Sequence, residues 1–316
     1  MSMKYVMEAY ELLDSPTVSG KDVGVALIEV GVSPENIEVK KVQTSRGNTD
    51  FVKVWFFGTR GKKNGGSAPT LGVVGRLGGI GARPEEIGLV SDADGAISAV
   101  AFAMKLGHMI KIGDRLKGDV FVSTHICPNA LIRPHAPVPF MDSPISMTIA
   151  NTEEMAKELD AVISIDTTRG NRIINYCGFA LSPTVKEGYI LRVSEDLLSL
   201  MSYVTGKAPV VFALTTQDIT PYGNGLHHLN SILQPCTATS APVVGVALTT
   251  EISVPGCSTG VSSVVDIESV VRFVLEVAKA FGRGDASFYD PKEFDHIQKL
   301  YGSMKFLQTM GKMSAL

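Results

Sequence analysis

The sequence predicts an α/β protein, a three-layer αβα sandwich around a mostly parallel mixed sheet. Three observations predict it. Apolar runs of strand length at 71–74, 161–165 and 243–249 are too uniformly hydrophobic for a sheet with one wet face, so both faces must be covered. Helical periodicities alternate with these runs along the chain. The 316 residues are 45% hydrophobic and 19% charged, enough for one sizeable core. The expected organisation is a single α/β domain over 1–284 followed by a helical tail over 285–316.

In chain order, residues 3–13 read as a short helix. Ser19-Gly-Lys-Asp22 has the form of a capping box with Asp in place of Glu, and Val23, Leu27 and Val30 give the helix it opens an apolar stripe. The β-rich runs 37–43 and 51–57 read as strands, the second ending in Trp55, Phe56 and Phe57. Gly58 to Pro69, rich in Gly and Lys, reads as an exposed loop. The strand at 71–74 leads into Gly75-Arg-Leu-Gly-Gly-Ile-Gly81. That glycine spacing matches neither the dinucleotide fingerprint nor the Walker A loop. It suits either a tight structural turn or a ligand cradle.

Asp92 and Asp94 precede a helix at 96–106, with Ile97, Val100, Ala101 and Met104 on one face. A strand at 119–124 is followed directly by His125, and the Pro-rich stretch 128–144 reads as an ordered loop. Asn151-Thr-Glu-Glu154 reads as a second capping box, opening a helix to about Leu159. The strand at 161–165 ends in Asp166. Further strand signals lie at 185–193, 209–215 and 243–249, and helix signals at 195–204 and 266–281. Asp266 is the expected cap of the last helix, whose Val270, Val271, Val274, Leu275 and Ala278 face the core. One more helix is expected in the tail.

The net charge of −3, with both signs mixed along the chain, offers no basic stripe for nucleic acid. The N-terminus, MSMKYVMEAYELL, lacks an apolar signal core, and no apolar run is long enough to span a membrane. The expectation is a cytoplasmic homo-oligomer that takes a small-molecule or short peptide-like substrate, with no nucleic-acid or membrane partner. Cys127, Cys177, Cys236 and Cys257 stand far apart and form no C-x-x-C pair, which suits buried thiols better than a zinc knot or a disulfide framework.

Leu77-Gly-Gly-Ile-Gly-Ala-Arg-Pro84, Gly88-Leu-Val-Ser-Asp-Ala-Asp-Gly95 and Thr124-His-Ile-Cys-Pro-Asn129 resemble a prokaryotic family, the domain of unknown function numbered 1177. The likeness runs over most of the chain and implies no assigned chemistry. A more distant similarity is to the co-catalytic zinc aminopeptidases of the deblocking, glutamyl-aminopeptidase type. It is carried by the course of helix, Ser19-Gly20, helix and two strands, and by the late order of strand, Val254-Pro255 turn and long helix. That resemblance implies a zinc-exopeptidase-like fold and one divalent ion, zinc. Asp92 resembles the family's metal-bridging Asp before a helix, and Asp166 its metal-binding Asp at a strand end. The family's glutamate pair falls on Thr124-His125, its His-x-Asp on Arg76-Leu77-Gly78, and its late histidine near Cys257 to Thr259. The inserted lid domain has no room between Gly81 and Asp92.

Asp92, His125 and Asp166 each stand at a strand end or a helix start, where open α/β sheets bind ligands. Two carboxylates and an imidazole suit a divalent ion, which polarises a carbonyl and acidifies its bound water. Asp94 or a neighbouring histidine then serves as base, His125 being ligand or acid/base group. Arg76 supplies the charge of a lost second metal and binds a substrate carboxylate, while Arg133 and His228 border the substrate. Cys257, in Pro255-Gly-Cys-Ser-Thr-Gly260, is an alternative nucleophile. Each residue has a structural alternative: Asp92 and Asp94 as helix caps, His125 as a satisfied buried histidine, Cys257 as an inert thiol. The expected function is metal-dependent hydrolysis of amide bonds in small peptide-like or cyclic-amide substrates. The alternative is a non-catalytic binding or assembly protein on a degenerate metallopeptidase scaffold.

Overall fold

The computed structural model describes residues 2–134, 139–214, 231–256, 260 and 262–308. Its helices are α1 (Ser2–Asp14), α2 (Gly20–Glu29), α3 (Asp94–Lys111), α4 (Met147–Glu154), α5 (Glu195–Thr205), α6 (Val264–Arg283) and α7 (Pro291–Tyr301). Its strands are β1 (Ile37–Thr44), β2 (Gly47–Phe56), β3 (Leu71–Gly75), β4 (Val120–Ile126), β5 (Leu131–Arg133), β6 (Phe140–Asp142), β7 (Ala161–Thr167), β8 (Gly178–Leu181), β9 (Val185–Lys186), β10 (Tyr189–Ile190) and β11 (Val243–Thr249).

The main sheet runs β1-β2-β4-β3-β7-β11-β9-β10, with β8 also paired to β11. Its centre, β4, β3, β7 and β11, is parallel, and both flanks are antiparallel. Strands β3, β4 and β11 are buried along their whole length and β7 up to its last residue, so alternate residues enter different cores. Ala161, Ile163 and Ile165 join the core under α1, α2, α3 and α6, whereas Val162 joins the one beside Leu159, Ile232 and Leu233. Helices on one face, and α4 with the short 3₁₀ segment Ser231–Thr237 on the other, complete the three-layer αβα sandwich expected from sequence. The connection from β3 to α3 stays short, held by Val90 N–H to the Ile80 carbonyl, and carries no inserted domain.

Local signals placed several elements directly. Ser19 and Asp22 form both halves of the capping box at α2. Strand β11 and helices α1 and α5 lie where the sequence put them, and α7 supplies the helix expected in the tail. Helix α6 is capped by Ser263, which accepts from the Asp266 N–H, so Asp266 is the third helical residue and not the cap.

Tertiary pairing altered others. The β2 strand starts at Gly47, because a tight turn closes on Thr44 and extends the hairpin with β1. His125 lies inside β4, paired with Phe51, and Asp166 lies inside β7, paired with Ala247. Neighbouring strands on both sides supply ladder bonds beyond the apolar runs. The segment 151–154 closes a helix instead of opening one: α4 begins after Ser146, whose hydroxyl accepts from the Ile149 N–H, and ends at Glu154. The 209–215 run forms no strand among its described residues, only an isolated bridge between Val211 and Leu181. The 185–193 signal splits into β9 and β10, and β8 carries no comparable sequence signal. Among the described residues, no helix is long and apolar enough to cross a membrane.

Candidate functional site

The carboxyl ends of β3, β4, β7 and β11 carry two polar groupings. The first lies on the α3 side. The 3₁₀ turn Ser91–Ala93 leads straight into α3, and Ala93, in the cap position, makes no side-chain capping bond. Neither Asp92 nor Asp94 therefore caps α3. Asp94 is buried and accepts from Arg169 Nη2 at 2.7 Å and from the Ser262 hydroxyl. Burial raises its carboxyl above the ordinary value, with Arg169 and Ser262 opposing that rise.

The turn is stitched to the end of β7. Thr167 Oγ1 and Arg169 Nη2 both donate to the Ser91 carbonyl, at 3.1 and 3.2 Å. Asp92 N–H and the Ser91 hydroxyl both donate to the Gly256 carbonyl at 3.1 Å. Gly256 approaches so closely that a Cβ there would collide with the Asp92 carboxylate. Asp166, nearly buried, accepts from the Thr167 N–H at 2.8 Å. Asp92, Asp94 and the segment that follows Asp166 thus meet at one edge, and Cys257 follows Gly256 in the chain. Cys257, His227 and His228 lie outside the described residues.

The second grouping lies on the opposite face, below the crevice. Arg76 follows β3 directly, level with His125 on β4 and Asp166 on β7 by the registers of Gly75 with Thr124 and Ile165. Arg76 is 0% exposed. Its Nη1 donates to Asn151 Oδ1 at 2.7 Å and to Glu154 Oε2 at 2.8 Å. His125 Nδ1 stands 3.3 Å from Glu154 Oε1 without a hydrogen bond between them. The Ser123 hydroxyl donates to the Glu154 carbonyl, and Asn151 Nδ2 donates to Thr237 Oγ1, tying α4 to the sheet and to the 231–237 segment. Cys236 in that segment is pushed up to about 12 by burial, with Arg76 pulling weakly the other way. It is a poor nucleophile.

By strand alternation His125 and Asp166 belong to the same face as Arg76, with His125 Nδ1 facing Glu154 Oε1, while Asp92 lies in the turn bonded to Gly256. Arg133 lies on the β5–β6 hairpin, exposed, and donates to Asp142, which Arg46 also grips. Sequence reading missed Glu154 and Asn151 because their spacing imitates a capping box. It also missed Ser164 and Gln234, which carry no motif.

A zinc centre needs three or four converging donors. Among the described residues, no group of three or more His, Cys, Asp or Glu side chains is placed to hold a metal ion. Asp94 is engaged by Arg169 and Ser262, and an always-charged guanidinium is buried where β3 ends. The described donor set does not fit a zinc centre.

Among solved structures, the chain is similar to the Acidobacteriales bacterium glutaminyl cyclase, with TM-score 0.52 and 12% identity over 90% of this chain and 94% of that one. It also aligns with the Legionella pneumophila LapA aminopeptidase at TM-score 0.47 and 13% identity, over 92% of this chain and 71% of that one. The first likeness shows a shared fold. No curated protein matches the chain. The family described as "Protein of unknown function (DUF1177)" matches residues 40–311, so this chain belongs to the DUF1177 family.

Proposed function

We propose that this protein binds a small peptide-like or cyclic-amide molecule at the carboxyl ends of β3, β4 and β7, on a degenerate metallopeptidase-type scaffold. One observation carries the reading. The position that the aminopeptidase resemblance assigns to metal-binding His-x-Asp holds Arg76, buried and ion-paired with Glu154. A guanidinium supplies fixed positive charge without an ion and orients planar oxygen ligands. The ligand class rests on the fold shared with a glutaminyl cyclase, which is analogy and not site chemistry.

A second reading, metal-assisted amide hydrolysis, is favoured by the junction of Asp92, Asp94 and the end of β7. Elemental mass spectrometry of the purified protein, with Asp166→Ala beside it, separates the two. The binding reading expects well under one ion per chain in both proteins after reconstitution with zinc. Near-stoichiometric zinc that disappears in Asp166→Ala overturns it in favour of the hydrolase.

A further inference from the structure

The layer below the crevice contains more hydrogen-bonding groups than partners for them. Arg76 donates only through Nη1; its Nε and Nη2 have no partner among the described residues, although the side chain has no exposed surface. Those two nitrogens form one edge of the planar guanidinium, the geometry that meets both oxygens of a carboxylate in a bidentate pair. Gln234 is 0% exposed, yet among the described residues both its side-chain oxygen and nitrogen lack partners, and so does the buried Ser164 hydroxyl. Folded interiors seldom leave such groups unmade, and a cluster of them asks for an occupant.

These groups share one side of the sheet. Ser164 precedes Asp166 by two residues on β7, aligned with Val74 and Gly245 of the neighbouring strands. Gln234 belongs to the segment that Asn151 holds through Thr237, and Asn151 is itself a partner of Arg76. Glu154 occupies Nη1 from the other side, so the Nε–Nη2 edge remains presented.

We propose that this layer is a subsite for a small monoanionic carboxylate, received by the Nε–Nη2 edge of Arg76 with the Gln234 amide and Ser164 hydroxyl as further donors. It deepens, and rests on, the reading of this end of the sheet as a small-molecule site. Charge and geometry define the class. Beside the Arg76–Glu154 pair a monoanion leaves one net negative charge and a dianionic phosphate two, so phosphate is the costlier guest. A primary amide turns its NH₂ toward a donor of the guanidinium and forfeits one of the two bonds.

The test uses the full chain, with N-acetylglycinate, N-acetylglycinamide and inorganic phosphate at equal ionic strength as probes. Thermal unfolding and calorimetric titration read binding. N-acetylglycinate alone raises the melting temperature, saturably. Ser164→Ala and Gln234→Leu each weaken it by about tenfold, the worth of one hydrogen bond to a charged group. Arg76→Lys, which keeps the charge and loses the fork, removes the preference for acid over amide. The proposal is overturned if acid and amide are indistinguishable on the wild type, if no probe binds, or if phosphate is preferred. It also falls if both Ser164→Ala and Gln234→Leu bind as the wild type does. Stoichiometric zinc alongside Arg76-dependent carboxylate binding would remove the function proposed above and leave this subsite standing. A metal-free protein that discriminates none of the probes would remove the subsite alone.

Discussion

Replacing Glu154 by Gln strips the buried Arg76 of its counter-charge while keeping the shape of the side chain. Both side chains are 0% exposed and their charged atoms lie 2.8 Å apart. At an effective dielectric of 20, two unit charges at that distance attract by about 6 kcal/mol. Most of this is offset by the several kcal/mol needed to desolvate each ion, so the intact pair contributes little net stability. Removing one partner is different, because the other stays desolvated and uncompensated. Glu154→Gln should therefore cost about 3–5 kcal/mol. Asn151 continues to accept from Arg76 Nη1, which argues for the lower half of that range. Equilibrium urea unfolding should show a lower midpoint at unchanged slope, and thermal unfolding a fall of roughly 4–8 °C for a chain of this length. The double variant Arg76→Met with Glu154→Leu should recover much of the loss, since an apolar pair of similar volume removes both desolvation terms. A Glu154→Gln cost below about 1 kcal/mol, or strict additivity in the double variant, would refute the coupled buried pair.

Two further outcomes test the scaffold around the site. Gly95, the second residue of α3, lies so close to the Arg76 and Ile165 carbonyls that an added Cβ has no room; Gly95→Ala should destabilise by about 1–3 kcal/mol in urea unfolding, and a neutral result would contradict that packing. Burial alone would raise the Asp142 carboxyl, but the hydrogen bonds and charges of Arg133 and Arg46 outweigh it and hold it below its ordinary 3.8. A depressed acid contributes stability that is complete above the unfolded value and disappears as pH falls through the native one. The wild type should exceed Asp142→Asn by about 1 kcal/mol near neutral pH, discounted for solvent exposure, with the gap closing below pH 3.8. A gap that widens on acidification has the wrong sign for this account.

Much of the fold is legible in the chain because its signals are local. The reciprocal bonds of Ser19 and Asp22 involve residues three apart, and the apolar stripe of α6 repeats within one helix. The same kind of signal misled at Asn151-Thr-Glu-Glu154. There the capping-box spacing is satisfied in sequence, but Ser146 starts the helix earlier and the two polar residues are pulled inward by Arg76. Asp92 sits before α3 and Asp94 is its first residue, and the Asp92 N–H bonds to Gly256 while the Asp94 carboxylate bonds to Arg169 and Ser262. Those partners are separated by 75 residues or more from Asp94, and no short-range pattern encodes them.

By itself the sequence determined the class of fold, the central apolar strands, most helices and the places where polar residues reach the strand ends. Each of these follows from hydrophobic periodicity or from a cap, and both act within a few residues. Only the tertiary structure decided how far β4 and β7 extend, because ladder bonds come from neighbouring strands. It alone set Asp92 in a turn bonded to Gly256 and turned His125 toward Glu154, because alternate residues of a doubly covered strand enter different layers. And it alone joined Arg76 to Asn151 and Glu154, for a charge buried by the packing of distant segments must find its counter-charge among whatever those segments bring.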